Sequence, residues 1–308
     1  MDWAKKHIIS INDFTRAEID FVLEKSEVME GLLEDNLTSH LLENKILGLL
    51  FFEPSTRTKL SFETAMKRLG GQTIGFDSAE ASSSTKGETI ADCLRIAAGY
   101  ADIVVLRHPL DGSARHASEF LDKPLINAGD GSNQHPTQTL LDLYTLKKRF
   151  GKIDGLKIAF LGDLKYGRTV HSLANALEKY DVSLKLISPD NLKMPDAQKK
   201  SLTSAKIKFK ETPKLDFDDC DVIYATRIQK ERFPDPLEYE KVKDAFILDK
   251  QNTQKIKKDA ILLHPLPRVN EISPELDSAP FAHYFIQAKN GIPVRMTILC
   301  LVSQVKFW

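Results

Sequence analysis

Short apolar runs of strand length recur along this chain, separated by longer segments in which apolar residues fall three and four apart. In the first half the strand-like runs are 46–52, 103–106 and one near Leu125, and helical spacing fills 58–69, 88–100 and 113–121. Parallel strands need a long crossover between them, usually a helix, so this alternation is the mark of a parallel α/β sheet. An amphipathic helix precedes it: Thr15-Arg16-Ala17-Glu18 has the residues of a capping box, and Ile19, Val22, Leu23 and Met29 repeat behind it. Gly70-Gly71 ends the helix at 58–69, because glycine readily adopts the left-handed conformation that closes a helix.

One long helix is expected over 135–149, with Pro136 tolerated near its start and Lys147-Lys148-Arg149 suited to the negative end of its dipole. The alternation then restarts after Gly151. Candidate strands are 157–161, 184–187, 222–225, 246–248 and 261–263, with helices such as 169–180 between them and a last helix at 294–305. A chain of 308 residues is about two domains at roughly 100–200 residues each. The expected fold is therefore α/β, two doubly wound parallel-sheet domains joined by long helices. Residues 1–134 form the first domain, 135–149 the connecting helix and 150–287 the second domain, and the C-terminal helix can pack on either of them.

Composition narrows the function classes. With 42% hydrophobic and 28% charged residues, neither disorder nor a fibrous architecture is expected. Forty-three Lys and Arg balance 43 Asp and Glu, so there is no overall basic field for nucleic acid or an anionic membrane. Cys93, Cys220 and Cys300 are far apart and form no CxxC, which argues against a disulfide framework or a zinc site. The apolar run 46–52 is far shorter than the roughly 20 residues of a membrane helix, and no signal peptide is visible. A soluble cytoplasmic protein is expected.

Charge must then act locally. In Phe51-Phe52-Glu53-Pro54-Ser55-Thr56-Arg57-Thr58 a buried strand runs into a helix start crowded with hydroxyls and a guanidinium, which together with the outward-pointing N–H groups suit a phosphate. The plainer alternative is that Ser55 and Thr56 only cap the helix. Ser82-Ser83-Ser84-Thr85-Lys86-Gly87-Glu88 is either a mobile lid carrying Lys86 to an anion or a solvated turn. Arg107-His108-Pro109 follows a strand, at the end where open α/β sheets bind ligands, and either Arg107 or His108 is suited to that role. The stretch from Asn127 to Gln138 sets His135 and Gln138 on one face of the first turn of the long helix. There the dipole favours a neutral imidazole able to donate to a carbonyl oxygen, unless His135 is simply a cap.

In the second half, Gly162-Asp163-Leu164-Lys165-Tyr166-Gly167-Arg168 occupies a Rossmann-type turn without the GxGxxG spacing. Arg168 and Arg227, the latter within Thr226-Arg227-Ile228-Gln229, stand at strand ends and suit the two carboxylates of a dicarboxylate, or else surface ion pairs. His264-Pro265-Leu266-Pro267-Arg268 is a rigid turn in which Leu266-Pro267 is a candidate cis peptide.

Ser55-Thr56-Arg57-Thr58, Lys86-Gly87-Glu88-Thr89, Arg107-His108-Pro109, Asn133-Gln134-His135-Pro136-Thr137-Gln138, Lys165-Tyr166-Gly167-Arg168 and His264-Pro265-Leu266-Pro267-Arg268, in this order along nearly the whole chain, closely resemble the catalytic chains of aspartate carbamoyltransferases. The Ser-Thr-Arg-Thr segment is shared with ornithine carbamoyltransferases and marks only the superfamily. Ornithine enzymes carry a His-Cys-Leu-Pro turn and an Asp-x-x-x-Ser-Met-Gly segment, whereas this chain has His264-Pro265-Leu266-Pro267 and two Arg suited to aspartate.

The resemblance implies carbamoyl transfer from carbamoyl phosphate to the amine of L-aspartate, an early step of pyrimidine synthesis, with no cofactor and no metal. It places the active site in the cleft between the two domains and packs the C-terminal helix, about 288–308, back on the first. A carbamoyltransferase for another amine or amino acid, such as ornithine, is the alternative. Carried over by motif, Ser55, Thr56, Arg57, Thr58 and Arg107 bind phosphate, with Ser82 and Lys86 reaching in from a neighbouring subunit of a homotrimer. Thr58, Arg107 and His135 point at the carbamoyl oxygen, and Gln138 with the Leu266 and Pro267 carbonyls holds the carbamoyl NH2. Arg168, Arg227 and Gln229, together with Lys86, hold aspartate, and Glu53 and Arg232 serve domain closure. A separate regulatory chain is a possible partner; neither nucleic acid nor membrane is implied.

Overall fold

The computed structural model describes residues 3, 6–35, 38–81, 87–229, 233 and 235–307. Two compact units are present, Met1–Tyr144 with Asn290–Trp308, and Thr145–Lys289. The first contains α1 (Arg16–Glu34), β1 (Ile46–Phe51), α2 (Thr56–Arg68), β2 (Gln72–Phe76), α3 (Ile90–Tyr100), β3 (Ile103–His108), α4 (Ser113–Ser118), β4 (Leu125–Asp130) and the start of α5 (Pro136–Phe150). The second contains β5 (Lys157–Leu161), α6 (Arg168–Leu177), β6 (Ser183–Ile187), α7 (Asp196–Ser204), β7 (Lys208–Thr212), β8 (Val222–Ala225), α8 (Pro236–Val242), β9 (Ile261–Leu263) and the start of α9 (Tyr284–Val302). Both α5 and α9 run through the division, so the chain leaves the first unit and re-enters it without a break in helix. Among the described residues no helix is long and apolar enough to cross a membrane.

The first sheet is parallel throughout, in the order β2-β1-β3-β4. From β1 the chain moves outward to β2, and from β3 outward to β4 on the other side. The order therefore reverses between β1 and β3, where an open sheet leaves a crevice at the carboxyl ends of its strands. Register places Phe51, the last residue of β1, beside Arg107 of β3. Leu50 and Phe52 join Leu94, Val104, Leu106 and Ala114 in a buried cluster on one face. Each such side chain contributes about 1.5–3 kcal/mol through burial.

Local signals in the sequence explain where the helices start and stop. Thr15 Oγ1 accepts from the Glu18 N–H at 3.2 Å while Glu18 Oε2 accepts from the Thr15 N–H at 2.7 Å, completing the expected capping box of α1. At the end of α2, Gly70 has φ +83°, and a Cβ there would lie 2.7 Å from the Ser39 carbonyl oxygen. The left-handed cap anticipated at Gly70-Gly71 is thus enforced by a neighbouring backbone as well.

The second sheet is also parallel, in the order β7-β6-β5-β8-β9, and reverses between β5 and β8. Ala159, Leu161, Ile223, Ala225 and Leu262 build its core with Phe217 and Tyr284. Two expectations need correction. Residues 246–248 form no strand: Leu248 makes only an isolated bridge to Ile272, and it is buried as part of the core cluster of the second sheet. The outer strand is β7, Lys-Phe-Lys-Glu-Thr, which is largely exposed and so lacks the apolar run that marks a central strand. For the same reason β2, whose residues are mostly exposed, has no strand signature in the sequence.

Candidate functional site

Each unit places functional side chains at the point where its strand order reverses. In the first unit β1 ends at Phe51, and Glu53-Pro54 leads to Ser55 at the N-cap position of α2. Ser55 makes no side-chain cap hydrogen bond. The plain capping role is therefore not what this hydroxyl performs, and it stands at the positive end of a thirteen-residue helix with Thr56 and Arg57 beside it. Thr58 is turned inward and buried.

Arg107 approaches from β3. Its Nη1 donates to the Ala128 carbonyl at 3.0 Å and its Nη2 lies 3.1 Å from Glu53 Oε2. Those contacts on two sides fix the plane of a guanidinium that is only 8% exposed. His108, the other candidate after this strand, is occupied otherwise: its Nδ1 accepts from the Leu110 N–H at 3.1 Å and its ring meets Phe52 edge-on. Burial pushes its pKa down, against the pull of Glu53 and Asp130.

His135 and Gln138 stand at the start of α5. The His135 carbonyl accepts from the Gln138 and Thr139 N–H groups at 3.0 and 3.2 Å, so its backbone opens the helix while its side chain is buried. Gln138 Nε2 donates to Asp142 Oδ1 at 2.8 Å. The loop before His135 is pinned by Asp130, 1% exposed, which the sequence reading did not single out. Asp130 Oδ1 accepts from Asn127 Nδ2 and the Gln134 N–H, and Oδ2 accepts from Asn133 Nδ2 and the Gly112 N–H, all at 2.9–3.0 Å. Four donors offset the desolvation of a buried carboxylate.

The second unit repeats the device. Gly162 has φ +115°, and a Cβ would fall 2.3 Å from the Thr226 carbonyl oxygen, so only glycine lets the ends of β5 and β8 approach this closely. Asp163, fully buried, donates its N–H to Thr226 Oγ1 at 3.2 Å and accepts at Oδ1 from the Lys165 and Tyr166 N–H groups at 3.1 and 2.9 Å. Burial raises its pKa, and the backbone bonds from Tyr166, Gln229 and Lys165 oppose that rise. Asp163 thereby ties the loop before Arg168 to the loop that carries Arg227 and Gln229, and Gln229 Nε2 reaches the Tyr166 carbonyl at 3.4 Å. Arg168 is the first residue of α6, and both Arg168 and Arg227 are half-buried.

Beyond β9 the Leu266–Pro267 peptide is cis, as expected. His264 Nδ1 accepts from the Leu266 N–H at 2.8 Å, so the ring proton sits on Nε2 and is donated to Glu271 Oε1 at 2.7 Å. Glu271 Oε2 accepts from the Val269 and Asn270 N–H groups. Burial works against the Glu271 charge, but His264 and these amides outweigh it and hold the carboxyl below its usual range.

Ser82, Lys86 and Arg232 lie outside the described residues. Within the first unit Glu53, Ser55, Thr56, Thr58 and Arg107 lie at the carboxyl ends of β1 and β3 and the start of α2, and His135 and Gln138 lie at the start of α5. Within the second it brings together Arg168, Arg227 and Gln229, with Leu266 and Pro267 on the turn after β9. The bracing carboxylates Asp130, Asp142, Asp163 and Glu271 were missed. For two of them a signal existed: an Asp flanked by glycine at a strand end, as in Gly129-Asp130-Gly131 and Gly162-Asp163, commonly accepts nearby backbone N–H groups. No group of three or more His, Cys, Asp or Glu that could hold a metal is present among the described residues.

Two doubly wound units, each with cationic side chains at its reversal point, define an α/β protein built to bind small anions. Residues 6–148 match the family described as aspartate/ornithine carbamoyltransferase, carbamoyl-P binding domain, and residues 154–302 match its Asp/Orn binding domain. The chain belongs to the aspartate/ornithine carbamoyltransferase family. It is 54% identical over 307 residues to the aspartate carbamoyltransferase catalytic subunit of Thermococcus gammatolerans, covering 99% of this chain and 100% of that one. The catalytic subunit of M. jannaschii aspartate transcarbamoylase superposes with a TM-score of 0.91 at 54% identity, over 97% of this chain and 99% of that one. Aspartate transcarbamoylase from Trypanosoma cruzi, solved in complex with N-(phosphonacetyl)-L-aspartic acid, gives a TM-score of 0.90 at 38% identity, over 96% of this chain and 95% of that one.

Proposed function

We propose that this chain transfers the carbamoyl group of carbamoyl phosphate to the amine of L-aspartate, giving N-carbamoyl-L-aspartate and phosphate, with no covalent enzyme intermediate. The observation that carries the reading is the pairing of two half-sites in one chain. One has a helix N-terminus with Ser55, Thr56 and Arg57 beside Arg107, suited to a phosphate. The other has Arg168 and Arg227 on loops tied together by Asp163, suited to two carboxylates. Full-length relatives named as aspartate carbamoyltransferases support the choice of aspartate over ornithine.

In this reading Ser55, Thr56, Arg57, Thr58 and Arg107 hold the phosphate. Thr58, Arg107 and His135 aim donors at the carbonyl oxygen, which gains negative charge as the amine attacks. Donors placed for that charge contribute about 3–4 kcal/mol each. Gln138 and the carbonyls of Leu266 and Pro267 accept from the carbamoyl NH2, while Arg168, Arg227 and Gln229 hold the aspartate carboxylates. Collapse of the tetrahedral state breaks the bond to the phosphate oxygen, and the departing phosphate takes the amine proton. No protein nucleophile is required, and holding two substrates in register lowers the barrier by roughly 7–11 kcal/mol. The reaction as written balances without a cofactor and yields a precursor for pyrimidine synthesis. Glu53 and Arg232 are assigned to domain closure.

The working form is a homotrimer in the cytoplasm, with Ser82 and Lys86 completing the neighbour's site and Lys86 touching both substrates; a regulatory chain is a further partner. Exposed Ile74 on the edge strand β2, with exposed Leu60 on α2, supports a subunit contact on this side. Mixing inactive Lys86→Ala and His135→Ala chains is expected to restore activity in hybrid trimers, and no recovery after verified subunit exchange contradicts shared sites. The assigned half-sites are tested by calorimetric titration with N-(phosphonacetyl)-L-aspartate. One site per chain is expected, weakened by both Arg57→Ala and Arg227→Ala; binding indifferent to either change contradicts the assignment.

A further inference from the structure

Gln138 carries an amide, and an amide offers a donor and an acceptor that a substrate reads in opposite senses. Which one faces the substrate is settled by the partner on the other side. Here that partner is Asp142, one helical turn along α5 and fully buried, whose Oδ1 lies 2.8 Å from Gln138 Nε2. A carboxylate only accepts, so the atom against it must be the nitrogen, and the oxygen is the atom Gln138 has left to offer.

A buried cation lies near the fully buried Asp142. Arg295 of α9 is buried against the same stretch of α5: its Nη2 donates to Thr137 Oγ1 at 3.4 Å, and its guanidinium lies over the Phe62 ring at 4.9 Å. A Cβ on Gly291 would fall 2.2 Å from Arg295 Nη1, so packing fits the guanidinium into a slot. Its charge and that of Asp142 attract each other. Gln138 thus meets an acceptor-only carboxylate, and that contact sets the direction of its amide.

We propose that Asp142 is a positioning residue that sets substrate specificity. By accepting from Gln138 Nε2 it presents Gln138 Oε1, so the first turn of α5 reads the NH2 of a carbamoyl group against the CH3 of an acetyl group of the same shape. This rests on the reading of Gln138 as a contact of the carbamoyl nitrogen. A site built to accept from a substrate N–H rejects the isostere that lacks it, because its own acceptor is then left unmatched.

Asp142→Asn gives the sharpest test. The new amide offers Gln138 a donor as well as an acceptor, so Gln138 is no longer obliged to donate to residue 142 and can turn its own NH2 toward the substrate. Carbamoyl and acetyl transfer to L-aspartate are measured with carbamoyl phosphate and acetyl phosphate, and inorganic phosphate is titrated as an inhibitor to report on the rest of the site. The ratio of kcat/KM for carbamoyl over acetyl transfer is expected to fall by about tenfold or more, through the carbamoyl arm alone, with phosphate inhibition unchanged. An unchanged ratio, or an equal loss in both arms, overturns the proposal while leaving the activity standing. Failure of the unaltered protein to carbamoylate aspartate overturns the underlying reading instead.

Should Asp142→Asn not fold, a crystal structure of the unaltered protein with phosphonoacetamide decides. Gln138 bridging Asp142 and the ligand nitrogen supports the proposal, and Gln138 released from Asp142 overturns it.

Discussion

Arg107 and Glu53 form an ion pair, 3.1 Å between Nη2 and Oε2, at the carboxyl ends of β3 and β1 where the first sheet reverses its order. The same guanidinium donates to Ala128 of β4, so one planar group spans three strand ends. A lysine cannot reproduce that fork. Arg107→Ala and Arg107→Lys are both expected to lower carbamoyl transfer by about 100- to 1,000-fold. Steady-state kinetics on the two variants, with circular dichroism to confirm folding, checks this, and a lysine variant of near-normal rate speaks against it.

Arg227 is assigned to an aspartate carboxylate. Removing one charge-assisted contact of that kind costs about 1.5–3 kcal/mol. Arg227→Ala is therefore expected to raise the half-saturating aspartate concentration by roughly tenfold or more while leaving binding of carbamoyl phosphate alone unchanged. An unaltered aspartate dependence means that another group holds the substrate.

The close approach of Gly162 to Thr226 has a consequence for stability. Gly162→Ala forces a Cβ to within 2.3 Å of a carbonyl at φ +115°, and a loss of about 1–3 kcal/mol or more in urea unfolding is expected. Gly31→Ala, inside α1 with nothing within 4 Å, is instead expected to stabilise by roughly 0.5–1 kcal/mol. Equal effects of the two changes contradict the strain argument.

The half-buried His171 and the buried Glu271 separate in their pH dependence. Burial pushes the His171 pKa below its ordinary 6.5, although its bond to the Leu164 carbonyl opposes this. The unfolded chain then binds the proton more readily. Stability contributed by neutral His171 is fully present above about pH 6.5 and is lost as pH falls toward the folded pKa. Glu271 has a folded pKa below its ordinary 4.5, so its contribution is lost only as pH falls from there through the folded value. Thermal unfolding should show His171→Gln flattening the decline just below neutrality, and Glu271→Gln flattening the decline under about pH 4.5. Unchanged pH profiles in the variants argue against these assignments.

All three cysteines are free, and burial raises each thiol: Cys220 and Cys300 to about 12, Cys93 upward with help from Glu88. Little thiolate exists near pH 7.5. Iodoacetamide is expected to leave carbamoyl transfer intact in the folded protein, and rapid inactivation tracking a single alkylated cysteine contradicts this.

What the sequence revealed follows the physics of exposure. Central strands such as β1 and β5 carry unbroken apolar runs because they are buried on both faces, and their ends carry the charged residues of the site. The edge strands β2 and β7 escaped notice because exposed residues dominate them, while Phe246-Ile247-Leu248 imitated a strand because it packs on the core of the second sheet without joining it. Cations at strand ends were legible as candidate site residues. Asp142 was not, because its role lies in turning Gln138, and nothing in the spacing of two helix residues shows which amide atom is taken. Glu271 was hidden likewise, since its partner His264 lies across a turn whose path only the fold shows.

The central claim is tested most directly by incubating the protein with carbamoyl phosphate and, in parallel, L-aspartate or L-ornithine, and separating the products. The predicted result is N-carbamoyl-L-aspartate and phosphate in equal amounts, with no citrulline from ornithine. Phosphate release without carbamoyl-aspartate, or carbamoylation of ornithine in its place, would contradict the account.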